Sequence, residues 1–347
     1  MPPRPFCRRG RKSSPEAPAA SALGDIARVN TAHTGNDRLN SLTVIVCAYT
    51  DDRWETLCRA IDMALKQMST DDELVVVVDH NEALLERCRA AFDDCIVLAN
   101  TQRRGLSGAR NTALRRARGA VIAFLDDDAI PLDGWLDALR APYADQRVFG
   151  VGGLTRPRWP GEQPKWFPAE FLLVVGCSHL GLPTVQGPVR NLTGANMSFR
   201  QAVFEQVGGF AETLGRNGKR PLGCEETELC IRLTQVDPGA LLLYDPSAQV
   251  EHHMTKQRKT FGYFVRRCWA EGLSKAEVSR RVGRSDALSS ERDYTRRVLP
   301  QGIWLGLRQA SRGDLSGISR SSAIATGLAV TTAGYCTGAL LSRSSRK

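Results

Sequence analysis

The sequence predicts an α/β protein, with a mostly parallel mixed sheet carrying helices on both faces in the Rossmann manner and a C-terminal helical segment behind it. Three observations predict it. Short β-branched runs alternate with segments of helical period through residues 42–130. Two of those runs end on acids, at Asp79 and at Asp126-Asp127-Asp128, and open α/β sheets receive their ligands at such strand ends. Beyond residue 255 the texture becomes basic and helical.

Taken in order, residues 42–47 form the first β-branched run. Thr50-Asp51-Asp52 then supplies capping side chains, and Leu57, Ile61, Ala64 and Leu65 recur at helical spacing through residues 54–67. Residues 73–79 form a second strand, 83–92 a helix and 95–98 a third strand. Gly105-Leu-Ser-Gly-Ala-Arg-Asn111 opens a helix to Ala117. Residues 121–125 are an uncharged buried strand that breaks at the three aspartates, and Pro131 prevents it from continuing as a fully bonded central strand. A helix is expected to Leu139, a strand at 150–154, helices at 199–208 and 225–233, a short strand at 241–244, and basic helices at 260–268 and 275–282. Residues 156–168 are dense in Pro and Trp, a loop whose Trp159 and Trp166 either line a pocket or form a rigid excursion.

The net charge of +10 hides an uneven distribution. Residues 1–40 carry seven Lys/Arg and three Asp/Glu, residues 255–347 eighteen and six, so the segment 41–254 is net −6. An acidic body between basic ends excludes a nucleic-acid channel; it suits a metal-using catalytic body whose tail meets anionic lipid. Residues 1–40, rich in Pro, Ser, Ala and Arg, are expected to be a disordered basic tail. No apolar run follows Arg8, Arg9, Arg11 and Lys12 as a secretory signal would require. Ten cysteines stand without a Cys-x-x-Cys pair, as core thiols in a reducing compartment would. A cytoplasmic protein, peripheral at the inner face of the membrane, is expected. Residues 322–341 carry no charge, a length that just spans a bilayer; the Gly/Thr/Ala-rich composition favours a membrane-surface or packing helix over a true span.

Alone, the triple aspartate reads as a solvated acidic turn. Its company changes that reading. Three close carboxylates repel unless a cation sits among them, and Mg²⁺ or Mn²⁺ bridging to substrate phosphates accounts for them. Arg110 and the helix-start amides at Gly105–Asn111 suit a diphosphate. Cys224-Glu225-Glu226-Thr-Glu228 puts paired carboxylates at a helix start, and Val250-Glu-His252-His253 offers an imidazole ligand. Together these suit transfer from a nucleotide-activated donor.

On these residues the chain resembles the family 2 glycosyltransferases of GT-A fold. The matching stretches are Thr43-Val-Ile-Val-Cys-Ala-Tyr49, Val77-Val-Asp79, Gly105 to Asn111, Ala123-Phe-Leu-Asp-Asp-Asp128, Asp133-Gly-Trp-Leu136, Gly194-Ala-Asn-Met-Ser-Phe199, Val207-Gly-Gly-Phe210, Glu225-Glu-Thr-Glu-Leu229 and Val250-Glu-His252, in the family's order across about residues 42–275. The resemblance implies a domain at 41–275, with a nucleotide-sugar half at 41–130 and an acceptor half at 131–255, and a basic helical region at 276–347. It implies that Ala48 and Tyr49 abut the nucleotide base, Asp79 holds it, Arg110 lies on the nucleotide side and Asp126 contacts the ribose. Asp127, grouped with Asp126 on that side, is expected to be the least constrained of the three aspartates. Asp128 is implied as metal ligand, with His252 as metal or diphosphate contact and His253 as its alternative. Glu226 is the implied catalytic base, with Glu225 beside it. Gly194, Ala195 and Asn196 would shape the acceptor site, and Trp166 would stack on a sugar.

The implied chemistry is an inverting displacement from a nucleoside diphosphate sugar, UDP by default, to an acceptor hydroxyl of a surface glycan, a glycolipid or a metabolite. The base position departs from the family's commoner Asp, and His80 follows Asp79 where the family often has small or acidic residues. A nucleotidyltransferase would want a Gly-rich basic loop after the first strand, where Ala48-Tyr49-Thr50-Asp51 stands. A non-catalytic nucleotide-sugar-binding membrane module would lack the acids or the base, and both are present.

Overall fold

The structure, a computed structural model, describes residues 41–216, 222–287 and 294–344. The predicted tail at 1–40 lies outside the described residues. Strands β1 (Leu42–Ala48), β2 (Glu73–Val78), β3 (Ile96–Ala99) and β4 (Val121–Asp126) pair in parallel in the spatial order β3-β2-β1-β4. Alternation along them feeds two cores. Val44, Val46 and Val76 pack with Leu57, Ile61 and Leu84 from helices α1 (Trp54–Leu65) and α2 (Glu82–Ala91). Ile45, Val75 and Val77 pack with Ala109 and Ala113 of α3 (Leu106–Leu114). The buried set Leu57, Ala60, Ile61 and Ala64 is the apolar stripe that makes α1 a helix against the sheet. Asn81 caps α2 by accepting from the Leu84 amide at 3.1 Å.

Beyond β4 the sheet is mixed. After β5 (Ala129–Pro131) and α4 (Trp135–Arg140) come β6 (Val148–Arg158), β7 (Gly187–Pro188), β8 (Asn196–Arg200), α5 (Gln201–Val207), α6 (Glu225–Val236) and β9 (Leu241–His253). Strand β8 lies antiparallel between β4 and β6, β6 pairs in parallel with β9, and β9 pairs antiparallel with β5. The order along the sheet is β3-β2-β1-β4-β8-β6-β9-β5, with β7 paired antiparallel to β9 off this path. Thus β5 follows β4 in sequence after two residues yet lies at the far end of the sheet path. The sheet therefore curls until its last strand returns to the end of β4, and Asp127-Asp128 bridges the join.

Several elements differ from the sequence expectation, β6 among them, which runs from Val148 to Arg158 where a strand at 150–154 is expected. Phe199, expected to open a helix, lies in β8. Met197 and Phe199 enter one core, while Asn196 and Ser198 on the other face are also buried, against Trp135 and Tyr143, so the run lacks the polar outer face that would mark a strand. Strand β9 extends well beyond 241–244. The two basic helices expected at 260–268 and 275–282 are one helix, α7 (Phe261–Val282).

Behind α7 lie α8 (Leu299–Ala310) and α9 (Ser316–Ser344). A third core joins Phe167, Phe171 and Val174 to Phe264, Leu299 and Ile324. Glycines set how closely these helices cross. A Cβ on Gly272 would stand 2.1 Å from the Thr331 carbonyl oxygen, and one on Gly334 2.4 Å from that of Trp269. The Gly-rich composition of 322–341 is thus a close-packing seam. The opposite stripe of α9, Ala325, Ala329, Ala333, Cys336 and Leu340, is exposed and uncharged. Among the described residues α9 is the helix long and apolar enough to cross a membrane by length and composition, with mean hydropathy 1.4 over Ser316–Leu341.

Candidate active site

The return of β9 to β5 builds the acidic centre. His252 stands opposite Ala129, and the His253 amide donates to the Asp128 carbonyl at 2.7 Å. This fixes the His252 ring so that Nε2 lies 2.8 Å from Asp128 Oδ1. Cys177 Sγ lies 3.6 Å from its Nδ1. Arg258 and Arg53 approach Asp128 Oδ2 at 3.1 and 3.2 Å. Burial would raise the Asp128 pKa, but His252, Arg53 and Arg258 pull it well below the carboxylate range. Ligand atoms of Asp126, Asp128 and His252 lie within 4.8 Å of one another. Two hard carboxylate oxygens and an imidazole fit a divalent cation such as Mg²⁺ or Mn²⁺.

Asp127 departs from the expectation of a loosely held residue. It is buried, with Oδ1 2.5 Å from Arg53 Nη1 and Oδ2 lacking a hydrogen-bond partner. Burial pushes its pKa up to about 7 against the pull of Arg53. His253 turns away from the centre, its Nε2 buried without a partner and its pKa lowered by burial.

Arg110, 2% exposed, links the acidic centre to α6. Its guanidinium donates to Glu225 Oε1 at 2.9 Å and to the Gly194 carbonyl at 2.8 Å, with a longer contact of 3.4 Å to Asp126. It lies over the rings of Phe124 and Phe210 at 5.5 and 5.3 Å. Arg110, Asp126, Gly194, Ala195, Glu225 and Glu226 line one cavity of about 730 Å³. Burial, then the neighbouring Glu225, pushes the Glu226 pKa up to about 8. Gly194 leaves room here, since a Cβ on it would lie 3.3 Å from Arg110 Nη2 and 3.8 Å from Glu226 Oε2.

On the β1–β2 side, Ala48 is buried and its carbonyl accepts from the Asp79 amide at 2.7 Å. Asp79 accepts from Asn100 at 2.6 Å and from the Gly105 amide at 2.9 Å, and its Oδ1 lies 2.8 Å from His80 Nδ1. Asp79 thus ties the end of β2 to the start of α3. Tyr49 is exposed, with the Arg53 guanidinium 5.3 Å from its ring centre.

Two expected acceptor residues do not line the cavity. The Asn196 side chain is fully buried, accepting from Trp135 Nε1 at 2.8 Å and donating to the Ala248 carbonyl at 2.9 Å. Trp166 packs with Phe167, Phe261 and Phe264 at ring separations of 5.2, 5.3 and 5.6 Å, because the apolar surface of α7 is there to receive it. Sequence spacing does not single out Arg53 or Arg258, which sit in runs that read as solvated, nor Glu271 and Arg216, which line the cavity.

Residues 43–208 match the family model described as Glycosyl transferase family 2. Over 238 residues the chain is 34% identical to the glucosyl-dolichyl phosphate glucuronosyltransferase of Haloferax volcanii, spanning 67% of this chain and 76% of that protein. The chain belongs to glycosyl transferase family 2. This glycosyltransferase is also 31% identical over 198 residues to the pre-mycofactocin glycosyltransferase of Mycobacterium tuberculosis, covering 53% of this chain and 38% of that protein. Among solved structures it is similar to the mannosyltransferase from Pyrobaculum calidifontis in complex with GDP-Man and Mn²⁺, with a TM-score of 0.52, 18% identity and coverage of 84% of this chain and 86% of that one. That likeness shows the fold, the curled mixed sheet of the GT-A class. The glycosyltransferase is therefore an enzyme of sugar transfer.

Proposed function

We propose that the glycosyltransferase moves its sugar with inversion to an acceptor hydroxyl, with Glu226 as base and a divalent cation, Mg²⁺ or Mn²⁺, held by Asp126, Asp128 and His252. One observation carries the reading: Asp126, a member of the acidic centre, and Glu226 line the same cavity, and Arg110 reaches from Asp126 at 3.4 Å to Glu225, the neighbour of Glu226, at 2.9 Å. When bound, the cation supplies positive charge against the leaving nucleoside diphosphate. Glu226 takes the proton of the acceptor hydroxyl while that oxygen bonds to the anomeric carbon and the bond to the diphosphate breaks on the opposite face. Glu225, engaged by Arg110, holds that guanidinium in place. The Mn²⁺ named with the Pyrobaculum mannosyltransferase supports the cation.

In this reading residues 41–130 bind the nucleotide sugar, with Ala48, Tyr49 and Asp79 at the base and Asp127 braced by Arg53, and residues 131–255 face the acceptor. UDP is the default nucleotide; the GDP-Man of the mannosyltransferase makes GDP the first competitor. By its name, the Haloferax relative acts on a sugar carried by dolichyl phosphate, which supports an acceptor of the lipid-linked class. The uncharged outer stripe of α9 and the basic C-terminal region support a peripheral place at the inner face of a membrane. A screen of nucleotide sugars with Mn²⁺, read as thermal stabilisation and donor hydrolysis, tests the donor half. No stabilisation by any nucleotide sugar would sink the reading.

A further inference from the structure

The cavity changes chemistry along its wall. At one part stand Arg110, Asp126 and Glu226; at another, Leu173, Leu182, Val298 and Leu328 with Tyr294 and Tyr335. The helix α9 contributes Leu328, Thr332 and Tyr335 to that wall, and the same helix presents its uncharged stripe outward. The lining is also unbalanced in charge, with six Arg and Lys side chains against four carboxylates. Two of the six are held by carboxylates of the lining, Arg110 by Glu225 at 2.9 Å and Lys275 by Glu271 at 3.2 Å. Arg297 is an exposed cation of that lining beside Val298. An apolar wall next to an exposed guanidinium is what an amphiphile with an anionic joint requires. A helix that faces the cavity on one side and offers an uncharged surface on another suits a chain arriving from a bilayer.

We infer that the part of the cavity walled by α9 and Val298 binds the lipid phosphate of the acceptor, with the phosphate at Arg297 and the chain along Leu173, Val298 and Leu328. The inference rests on the transferase reading for what sits at Glu226, but the site itself is measurable without turnover.

The test is titration calorimetry of the full chain with farnesyl phosphate, dodecyl phosphate, farnesol and inorganic phosphate. Both lipid phosphates are expected to bind about tenfold or more tightly than farnesol or inorganic phosphate. The tighter of the two tells an isoprenoid from an alkyl source. Thr332→Trp, a change at an exposed position on the wall, is expected to weaken lipid-phosphate binding about tenfold while Mn²⁺-dependent nucleotide binding persists. Arg297→Gln is expected to erase the preference for farnesyl phosphate over farnesol. Equal affinity for farnesol or for inorganic phosphate, or unchanged lipid-phosphate binding in Thr332→Trp, overturns the inference. If lipid-phosphate binding and its loss in Thr332→Trp are seen but Glu226→Gln keeps the full transfer rate, the site stands and the role proposed for Glu226 falls.

Discussion

Arg110 donates to Glu225 at 2.9 Å, so of the two adjacent carboxylates at the start of α6 one is tied to a buried guanidinium. Glu226, beside it, faces the cavity with its pKa pushed up to about 8 by burial and by Glu225. The two acids are therefore not equivalent. Glu226→Gln is expected to lower kcat by about 10²–10⁴ with the fold kept, the range for loss of a general base. Glu225→Gln is expected to act through Arg110, weakening donor binding and stability together. A full-rate Glu226→Gln enzyme beside a dead but folded Glu225→Gln enzyme would reverse the roles.

The raised Glu226 pKa fixes the sign of two pH dependences. As a base Glu226 must be ionised, so the transfer rate should climb as pH rises through about 8. Stability should run the other way. Between the ordinary value of 4.5 and about 8 the folded protein keeps a proton that the unfolded chain has released, so stability falls as pH rises across that window. Glu226→Gln removes this contribution. Urea melts of both proteins at pH 5 and pH 9 check it, and an equal pH slope in the two would count against a buried, protonated Glu226.

Asp128 is held by His252, Arg258 and Arg53. Asp128→Ala is expected to abolish both transfer and Mn²⁺ binding, the latter read by paramagnetic resonance of the free ion. Chelation should likewise stop the wild type, with recovery on adding Mg²⁺ or Mn²⁺. Turnover that survives exhaustive chelation would remove the cation from the mechanism.

Arg110 is buried among two aromatic rings, two carboxylates and a carbonyl. Arg110→Ala leaves Glu225 buried without its counter-charge, and a broken buried pair typically costs about 3–5 kcal/mol. Denaturant unfolding should show that loss; a change below about 1 kcal/mol would mean that Glu225 is solvated and the link between donor and acceptor sides is not made.

The helix seam gives a test remote from the chemistry. Gly334→Leu forces a side chain where a Cβ already lies 2.4 Å from the Trp269 carbonyl oxygen. Overpacking of this kind costs about 1–3 kcal/mol. The expected outcome is a lower melting temperature and weaker acceptor binding, because α9 walls the cavity, with nucleotide-sugar binding intact.

Much of the site was legible because it lies on strand ends. Asp79 and Asp126–Asp128 follow apolar runs, and Glu225-Glu226 opens a periodic helix, so sequence spacing alone placed them on elements. What could not be read depends on closure of the sheet. Arg258 belongs to a basic stretch that resembles any solvated face, and it meets Asp128 only because β9 returns to β5. Asn196 lies next to cavity-lining Ala195, but strand alternation turns its side chain to Trp135. The uncharged run at 322–341 marks the middle of α9, which runs on to Ser316 and Ser344, and a packing role is among its readings, but which partner it packs on shows only with Gly272 opposite Thr331.

The return of β9 to β5 also sets the order in which the enzyme can mature. A chain emerging from the ribosome presents β1 to β4 early, and these parallel strands close through contacts of modest sequence separation. Asp126 and Asp128 are made in that first half, yet His252 joins Asp128 across 124 residues. Contacts of such separation are slow to form, since loop closure precedes their reward. Asp126 and Asp128 therefore wait for their imidazole partner, and the acidic centre closes only once β9 has been made and has returned to β5.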